Sequence, residues 1–211
     1  MDHLRAEIET KIRRIAADYR SVPGAILTED DLKCLLVSRL LEIPELRSPQ
    51  TTADHVMGTW VHTEVTWFDE NGQLRIKPDI TILGPKELSI FRSLGREIRL
   101  PHKGFSFTGG SIIFELKFIR GRRGVTGAGV ASLRRDLTKV DRLFAKLTND
   151  GAADELFCYF VIFSKVSSAV PAFHELINLV NNGARYPRCR IIFGTAGVDW
   201  PTVPRHGLCE R

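Results

Sequence analysis

Leu4, Ile8, Ile12, Ile15 and Tyr19 recur at intervals of three and four among charged residues, which predicts an amphipathic helix over residues 2–20. Ser-Val-Pro-Gly at 21–24 breaks it. Thr28 stands three residues before Asp31, the spacing of a capping box, and Leu32, Leu35, Leu36 and Leu40 then predict a second helix that ends before Pro44. Residues 45–58 read as a loop. The period next shortens to two. WVHTEVTWF (60–68) and QLRIKPDITIL (73–83) flank DENG, and Asn71-Gly72 between such runs predicts a tight hairpin, because both residues tolerate the positive φ of a type I′ turn. A two-residue turn there pairs Glu70 with Gln73 and carries Glu64 to a position directly opposite Asp79.

Residues 84–110 are irregular, with a helix expected from Pro85 to Leu94 and short strands near 97–107. SIIFELKFI (111–119) reads as a third strand. A glycine-rich loop, RGRRGVTGAG, leads into a helix whose Leu133, Leu137, Val140, Phe144 and Leu147 share one stripe. A buried strand over 156–166, a helix opened by Pro171 and running to 181, and a last strand at 189–197 complete the pattern. The order α-α-β-β-β-α-β-α-β describes an α/β fold with a mixed central β-sheet flanked by helices. It fits a single domain over residues 1–211 with an insert at 84–110.

The third strand carries two charges. Residues two apart share a strand face, so Glu115 and Lys117 lie side by side with Ile113 and Ile119, while Phe114, Leu116 and Phe118 fill the other face. Burying an unpaired charge costs several kcal/mol, roughly, even after relaxation, so this pair must meet something. The hairpin supplies neighbours: Glu64 and Asp79, two like charges directly opposed, which is unfavourable and would be relieved by removing either one. Three carboxylates and a lysine thus converge on one sheet face. A divalent cation answers that repulsion, and hard oxygen ligands without His or Cys suit Mg²⁺. An exposed hairpin rim is the plainer reading of Glu64 and Asp79.

Charge placement points to a partner. Between Lys117 and Lys146 nine basic residues face two acids, a net of +7, so with +5 overall the rest of the chain sums to −2. Charge concentrated this way suits an anionic partner, of which nucleic acid is the commonest, although a solvated helix face and loop would read alike. Arg120, Arg122 and Arg123 leave the charged strand directly, and Arg134 and Lys139 follow on the next helix, so these five are the expected phosphate contacts. The insert is basic too, with Lys86, Arg92, Arg96, Arg99 and Lys103 against Glu87 and Glu97.

The remaining features narrow the setting. The longest apolar run, LFCYFVIF, is far too short to span a membrane, and the charged N-terminus is unlike a secretory signal. Four cysteines form no CxxC pair and read as reduced packing residues of a cytoplasmic protein. The glycines at 121, 124, 127 and 129 are followed by no Gly-Lys-Ser/Thr, so they read as a flexible connection rather than a phosphate loop. Asp136, at the edge of its helix stripe, either reaches the sheet near Lys117 or pairs with Arg134, Arg135 or Lys139. His62 falls on the face of Glu64 and reads as structural or solvated.

Pro78-Asp79, followed on the next predicted strand by Glu115-Leu116-Lys117, resembles the PD-(D/E)XK nuclease superfamily. The order of elements over residues 28–166 also looks like that family's core. The resemblance implies a restriction-endonuclease-like fold, α-β-β-β-α-β, here with an extra N-terminal helix and a C-terminal α-β. It implies that Asp79, Glu115 and the Leu116 backbone carbonyl bind Mg²⁺, for which Mn²⁺ substitutes, and that Lys117 orients or polarises the attacking water. Glu29 matches a carboxylate near the start of the family's leading helix, and Glu64 a less general first-strand acid. The implied reaction is hydrolysis of DNA to 5′-phosphate and 3′-hydroxyl ends, with RNA still open, and many members dimerise. A catalytically silent module that binds DNA or a protein partner is the competing reading, against which the intact Asp79, Glu115 and Lys117 argue.

Overall fold

A computed structural model describes residues 2–68, 75–91, 98–100, 105–107, 109–149 and 156–196. Five strands form the central sheet: β1 (Val61–Thr63), β2 (Ile80–Leu83), β3 (Ser111–Ile119), β4 (Leu156–Ser164) and β5 (Cys189–Thr195). Their spatial order is β5-β4-β3-β2-β1. β3, β4 and β5 run parallel, whereas β2 is antiparallel to both β1 and β3, so the sheet is mixed.

Four helices cover it. α1 (Asp2–Ser21) and α2 (Glu29–Leu40) lie on one face, α3 (Gly127–Asn149) and α4 (Pro171–Asn181) on the other. Leu4, Ile8, Ile12, Ile15 and Tyr19 of α1 are all buried, against Phe114, Tyr159, Val161 and Phe163 of the sheet. The alternation along β3 sorts its side chains as the sequence predicts. Ile112, Phe114 and Leu116 join the α1/α2 core, while Ile113 joins the α3/α4 core with Leu137, Val140 and Phe144. The α/β class and the mixed, helix-flanked sheet expected from the pattern are therefore present.

The strands around the hairpin differ from expectation in one respect. Each of the two long runs is cut in two. Beyond β1, the described residues re-pair at Trp67–Phe68 with Arg75–Ile76, in a separate two-stranded ribbon. Both ladders keep the predicted register: His62 lies opposite Thr81, and Trp67 opposite Ile76. The interruption falls at Pro78, which has no N–H to give to a ladder, and at Glu64, whose φ of 56° takes the chain out of extended geometry. The Asn71-Gly72 turn itself lies outside the described residues.

The insert also departs from expectation. The helix expected from Pro85 to Leu94 amounts to one 3₁₀ turn, Pro85–Glu87. Leu88–Ser89 then pairs with Phe105–Phe107, which pairs in turn with Ile98–Leu100. Asp54 explains the change. Its carboxylate accepts from the Ser89 hydroxyl at 2.9 and 3.0 Å and from the Ile90 and Phe91 amides, which holds 89–91 out of a helix. The expected loop at 45–58 likewise contains a helical turn, Pro44–Arg47, and a small ribbon of Gln50–Thr51 with Met57–Gly58.

Candidate active site

The site starts from the edge of β3. Regular pairing with β2 ends at Phe114 opposite Ile80. One residue earlier on the β2 side, the Asp79 amide donates to the Phe114 carbonyl at 3.0 Å. The Asp79 carboxylate then does what a ladder carbonyl would do, since its Oδ2 accepts from the Leu116 amide at 2.8 Å. Two residues on, Glu29 repeats the substitution, with Oε2 accepting from the Phe118 amide at 3.2 Å. Side-chain carboxylates thus replace a neighbouring strand along this edge. The N–H and C=O of one strand residue leave on the same edge, so the Leu116 carbonyl lies on the Asp79 side of β3.

Glu29 is in place because of how α2 begins. Thr28 Oγ1 accepts from the Asp31 amide at 3.0 Å, and Asp31 Oδ2 accepts from the Thr28 amide at 2.9 Å. This is the expected capping box, and it makes Glu29 the first helical residue. One turn later the same helix presents Lys33, which sequence reasoning missed. Its Nζ lies 3.2 Å from Glu64 Oε1, 3.5 Å from Asp79 Oδ1 and 3.8 Å from Asp30 Oδ1. Burial works against the charge on Lys33, yet the Glu64 hydrogen bond and the attraction of Asp79, Glu64 and Asp30 outweigh it and raise its pKa. The only signal in the sequence was the four-residue spacing from Glu29, which puts both on one helix face.

Glu64 and Asp79 are cross-strand neighbours, with the Glu64 amide donating to the Asp79 carbonyl at 3.2 Å. Their expected repulsion is taken up by lysines. Lys33 sits between them, and Lys77 Nζ holds the second Glu64 oxygen at 2.6 Å. The Lys77 hydrogen bond and then that of Lys33 hold the Glu64 carboxyl below its usual range. Glu64 is therefore neutralised at the rim rather than gathered inward.

Glu115 has a different environment. It is partly buried, and among the described residues its carboxylate has no hydrogen-bond or ion-pair partner. Burial above all, with Asp79, Asp136 and Glu29 adding repulsion, pushes its carboxyl up to about 7 despite the opposing pull of Lys117. Lys117 makes no ion pair within 4 Å among the described residues, and it lines a cleft of about 140 Å³ with Ile119, Ser132, Leu133 and Asp136. Asp136 thus faces the same cleft as Lys117 without pairing with it.

The donor chemistry suits a hard divalent cation. Asp79, just before β2, continues the register toward Glu115, the Leu116 carbonyl belongs to the same edge of β3, and Lys117 offsets only part of the burial and repulsion that Glu115 meets. Among the described residues no three His, Cys, Asp or Glu side chains form a metal-holding group, so the fit rests on two carboxylates and a carbonyl.

The basic residues fall into two places. Arg120, Arg122 and Arg123 are exposed on the loop after β3. The end of that loop is tied down by backbone bonds. The Gly124 amide donates to the Gly121 carbonyl at 3.0 Å, and Val125 exchanges bonds with Ser168 and Val170 at 3.1 Å each. Gly124 has φ of 61°, and a Cβ there would run into the Ser168 carbonyl. Arg134 and Lys139 lie on the outer face of α3, where with Arg135, Thr138 and Arg142 they line an open groove of about 340 Å³. Arg135 and Arg142 extend the expected pair.

Other expectations resolve simply. His62 Nε2 donates to the Thr59 carbonyl at 2.9 Å, a structural role. Cys158 and Cys189 are buried, free and adjacent across β4 and β5, whereas Cys34 is exposed rather than packed. No described helix is long and apolar enough to cross a membrane. Arg92, Arg96 and Lys103 lie outside the described residues. Compared with known proteins, the chain matches no family model, no curated protein and no solved structure.

Proposed function

We propose that this chain is a divalent-cation-dependent nuclease of restriction-endonuclease-like architecture that hydrolyses DNA phosphodiester bonds. The single observation that carries this reading is Glu115: a partly buried carboxylate pushed up to about 7, crowded by Asp79, Asp136 and Glu29, with Lys117 at a cleft two residues along the strand as the one charge that favours its ionised form. A fold does not keep such a group for stability, and perturbed groups of this kind cluster at functional sites.

Asp79, Glu115 and the Leu116 carbonyl would hold Mg²⁺, or Mn²⁺ in its place. The ion, when bound, supplies acidification of a water and compensation for charge on the phosphate oxygens. Every other part of the work belongs to the chain. Lys117, two residues from Glu115 on the same strand face, directs an ammonium at the scissile phosphate and steadies both the attacking water and the charge that develops. Attack on phosphorus breaks the P–O3′ bond, and the departing oxygen takes up a proton to leave 5′-phosphate and 3′-hydroxyl ends. Glu29 and Asp79, bound to the Phe118 and Leu116 amides, lock the strand edge in position. Arg120, Arg122 and Arg123 would grip phosphates next to the cleft, and Arg134 and Lys139 phosphates further along α3.

The test is cleavage of supercoiled, linear, single-stranded and branched DNA, and of RNA, with Mg²⁺ or Mn²⁺, comparing the wild type with Asp79→Asn and Lys117→Ala. Cleavage by the wild type that falls about 100- to 1,000-fold in Lys117→Ala, with folding and DNA affinity kept, is the expected result. Binding to DNA with no cleavage in any divalent metal would replace the enzyme by a silent binding module.

A further inference from the structure

Asp79 has two carboxylate oxygens, and each is engaged. Oδ2 is committed to the backbone, on the Leu116 amide. Oδ1 is the oxygen left for an incoming cation, and it is the one that faces Lys33 at 3.5 Å. An ammonium and a divalent ion cannot share one carboxylate oxygen at such distances without strong repulsion. Lys33 has somewhere else to go. Glu64 Oε1 is already its nearest partner at 3.2 Å, and Asp30, exposed on the same helix, stands at 3.8 Å. Glu64 in turn is kept at the rim by its own φ of 56° and by Lys77.

Building on the metal-site reading above, we propose that Lys33 is a built-in counter-cation that exchanges with the divalent ion. In the metal-free protein its ammonium neutralises Asp79 and Glu64. When the ion is bound, Lys33 gives up Asp79 and keeps Glu64 and Asp30. The rim carboxylates thus serve as a parking place for the displaced lysine rather than as metal ligands. The exchange also sets a threshold: a cation must outbid a resident ammonium, which favours divalent over monovalent ions and lowers affinity for both.

The experiment is Mn²⁺ titration by calorimetry, with melting curves in EDTA and in Mn²⁺, on the wild type, Lys33→Met, Lys33→Gln and Lys77→Met. A neighbouring opposite charge shifts the proton affinity of a carboxylate by about ten- to a thousandfold. Solvent access to this rim places the expected effect at the low end, so Lys33→Met should bind Mn²⁺ about tenfold more tightly. Lys33→Met should melt below the wild type in EDTA and gain more from Mn²⁺. Lys77→Met, which loses contact only with Glu64, should stay within about twofold of the wild type, since its charge is more exposed and further from Asp79. Lys33→Gln guards against a folding failure of the Met variant and should tighten binding in the same direction. Equal or weaker Mn²⁺ affinity in both Lys33 variants, with wild-type binding intact, overturns the exchange alone. No Mn²⁺ binding and no stabilisation in any of the four chains overturns the metal site and the exchange with it.

Discussion

Glu115→Gln should make the metal-free protein more stable while, under the proposed function, abolishing cleavage. The carboxyl of Glu115 is raised from the ordinary 4.5 to about 7, first by burial and then by Asp79, Asp136 and Glu29. Below pH 4.5 it is protonated in both the folded and unfolded chain, so it costs nothing. As pH rises to 7 the unfolded chain releases the proton while the folded chain holds it, and stability falls. Above pH 7 the penalty is constant. Each pKa unit corresponds to about 1.4 kcal/mol, which makes the full penalty about 3 kcal/mol, trimmed to about 2–3 kcal/mol by the strand edge still open to solvent. Gln keeps the shape and cannot ionise. In EDTA at pH 8 it should therefore gain about 2–3 kcal/mol over the wild type, roughly 5–10 °C in melting temperature for a chain of this size. At pH 4.5 the two proteins should melt within about 1 kcal/mol of each other. Urea or thermal unfolding at both pH values reads the difference directly. A gain that does not depend on pH, or a loss at pH 8, would refute the claim that Glu115 is an uncompensated buried charge.

Other consequences can be checked in the same protein. Asp79→Ala leaves the Leu116 amide without its acceptor and Lys33 with one partner fewer, so unfolding in EDTA should show a loss of about 1–2 kcal/mol; this reverses the stabilisation that cross-strand repulsion with Glu64 alone would suggest. Lys117→Ala removes the one charge that favours ionised Glu115, so the pH at which stability stops falling should move above about 7. Replacing Arg122 and Arg123 together by Ala should weaken binding to all DNA sequences alike and flatten the slope of log affinity against log salt by about 2. Gly124→Ala should cost at least about 2 kcal/mol in unfolding measurements, because both its positive φ and its contact with Ser168 exclude a side chain.

What could be read from the chain, and what could not, divides along physical lines. Helices α1 to α4 and strands β3 to β5 follow from apolar period alone, since each buries a continuous face. The register that brings Glu64 opposite Asp79 followed from a turn whose geometry permits only one pairing. The break in that hairpin was less visible. Pro78 announced a missing donor, but the positive φ of Glu64 has no signature in a β-branched, aromatic-rich run. Lys33 was hidden for a different reason: its meaning depends on where the N-terminus of α2 docks on the sheet, which no local pattern encodes. The 3₁₀ turn at 85–87 was missed because Asp54, more than thirty residues away in sequence, competes for the amides that a helix would have used.

The break in the hairpin and the candidate chemistry are one feature. Had β2 continued past Ile80 as a regular strand, its carbonyls would have taken the Leu116 amide and covered the Leu116 carbonyl, closing the edge of β3. Pro78 cannot donate, so the ladder stops, and the Asp79 and Glu29 carboxylates complete the edge instead. Carboxylates satisfy amides as well as carbonyls do, but each brings a negative charge to the same few ångströms, and those charges raise the pKa of Glu115 beside them. Lys33 offsets part of that charge at the rim, where its ion pairs are with Asp30, Glu64 and Asp79. The same substitution of side chains for a strand therefore concentrates negative charge at this edge, which Lys117 offsets only in part at Glu115.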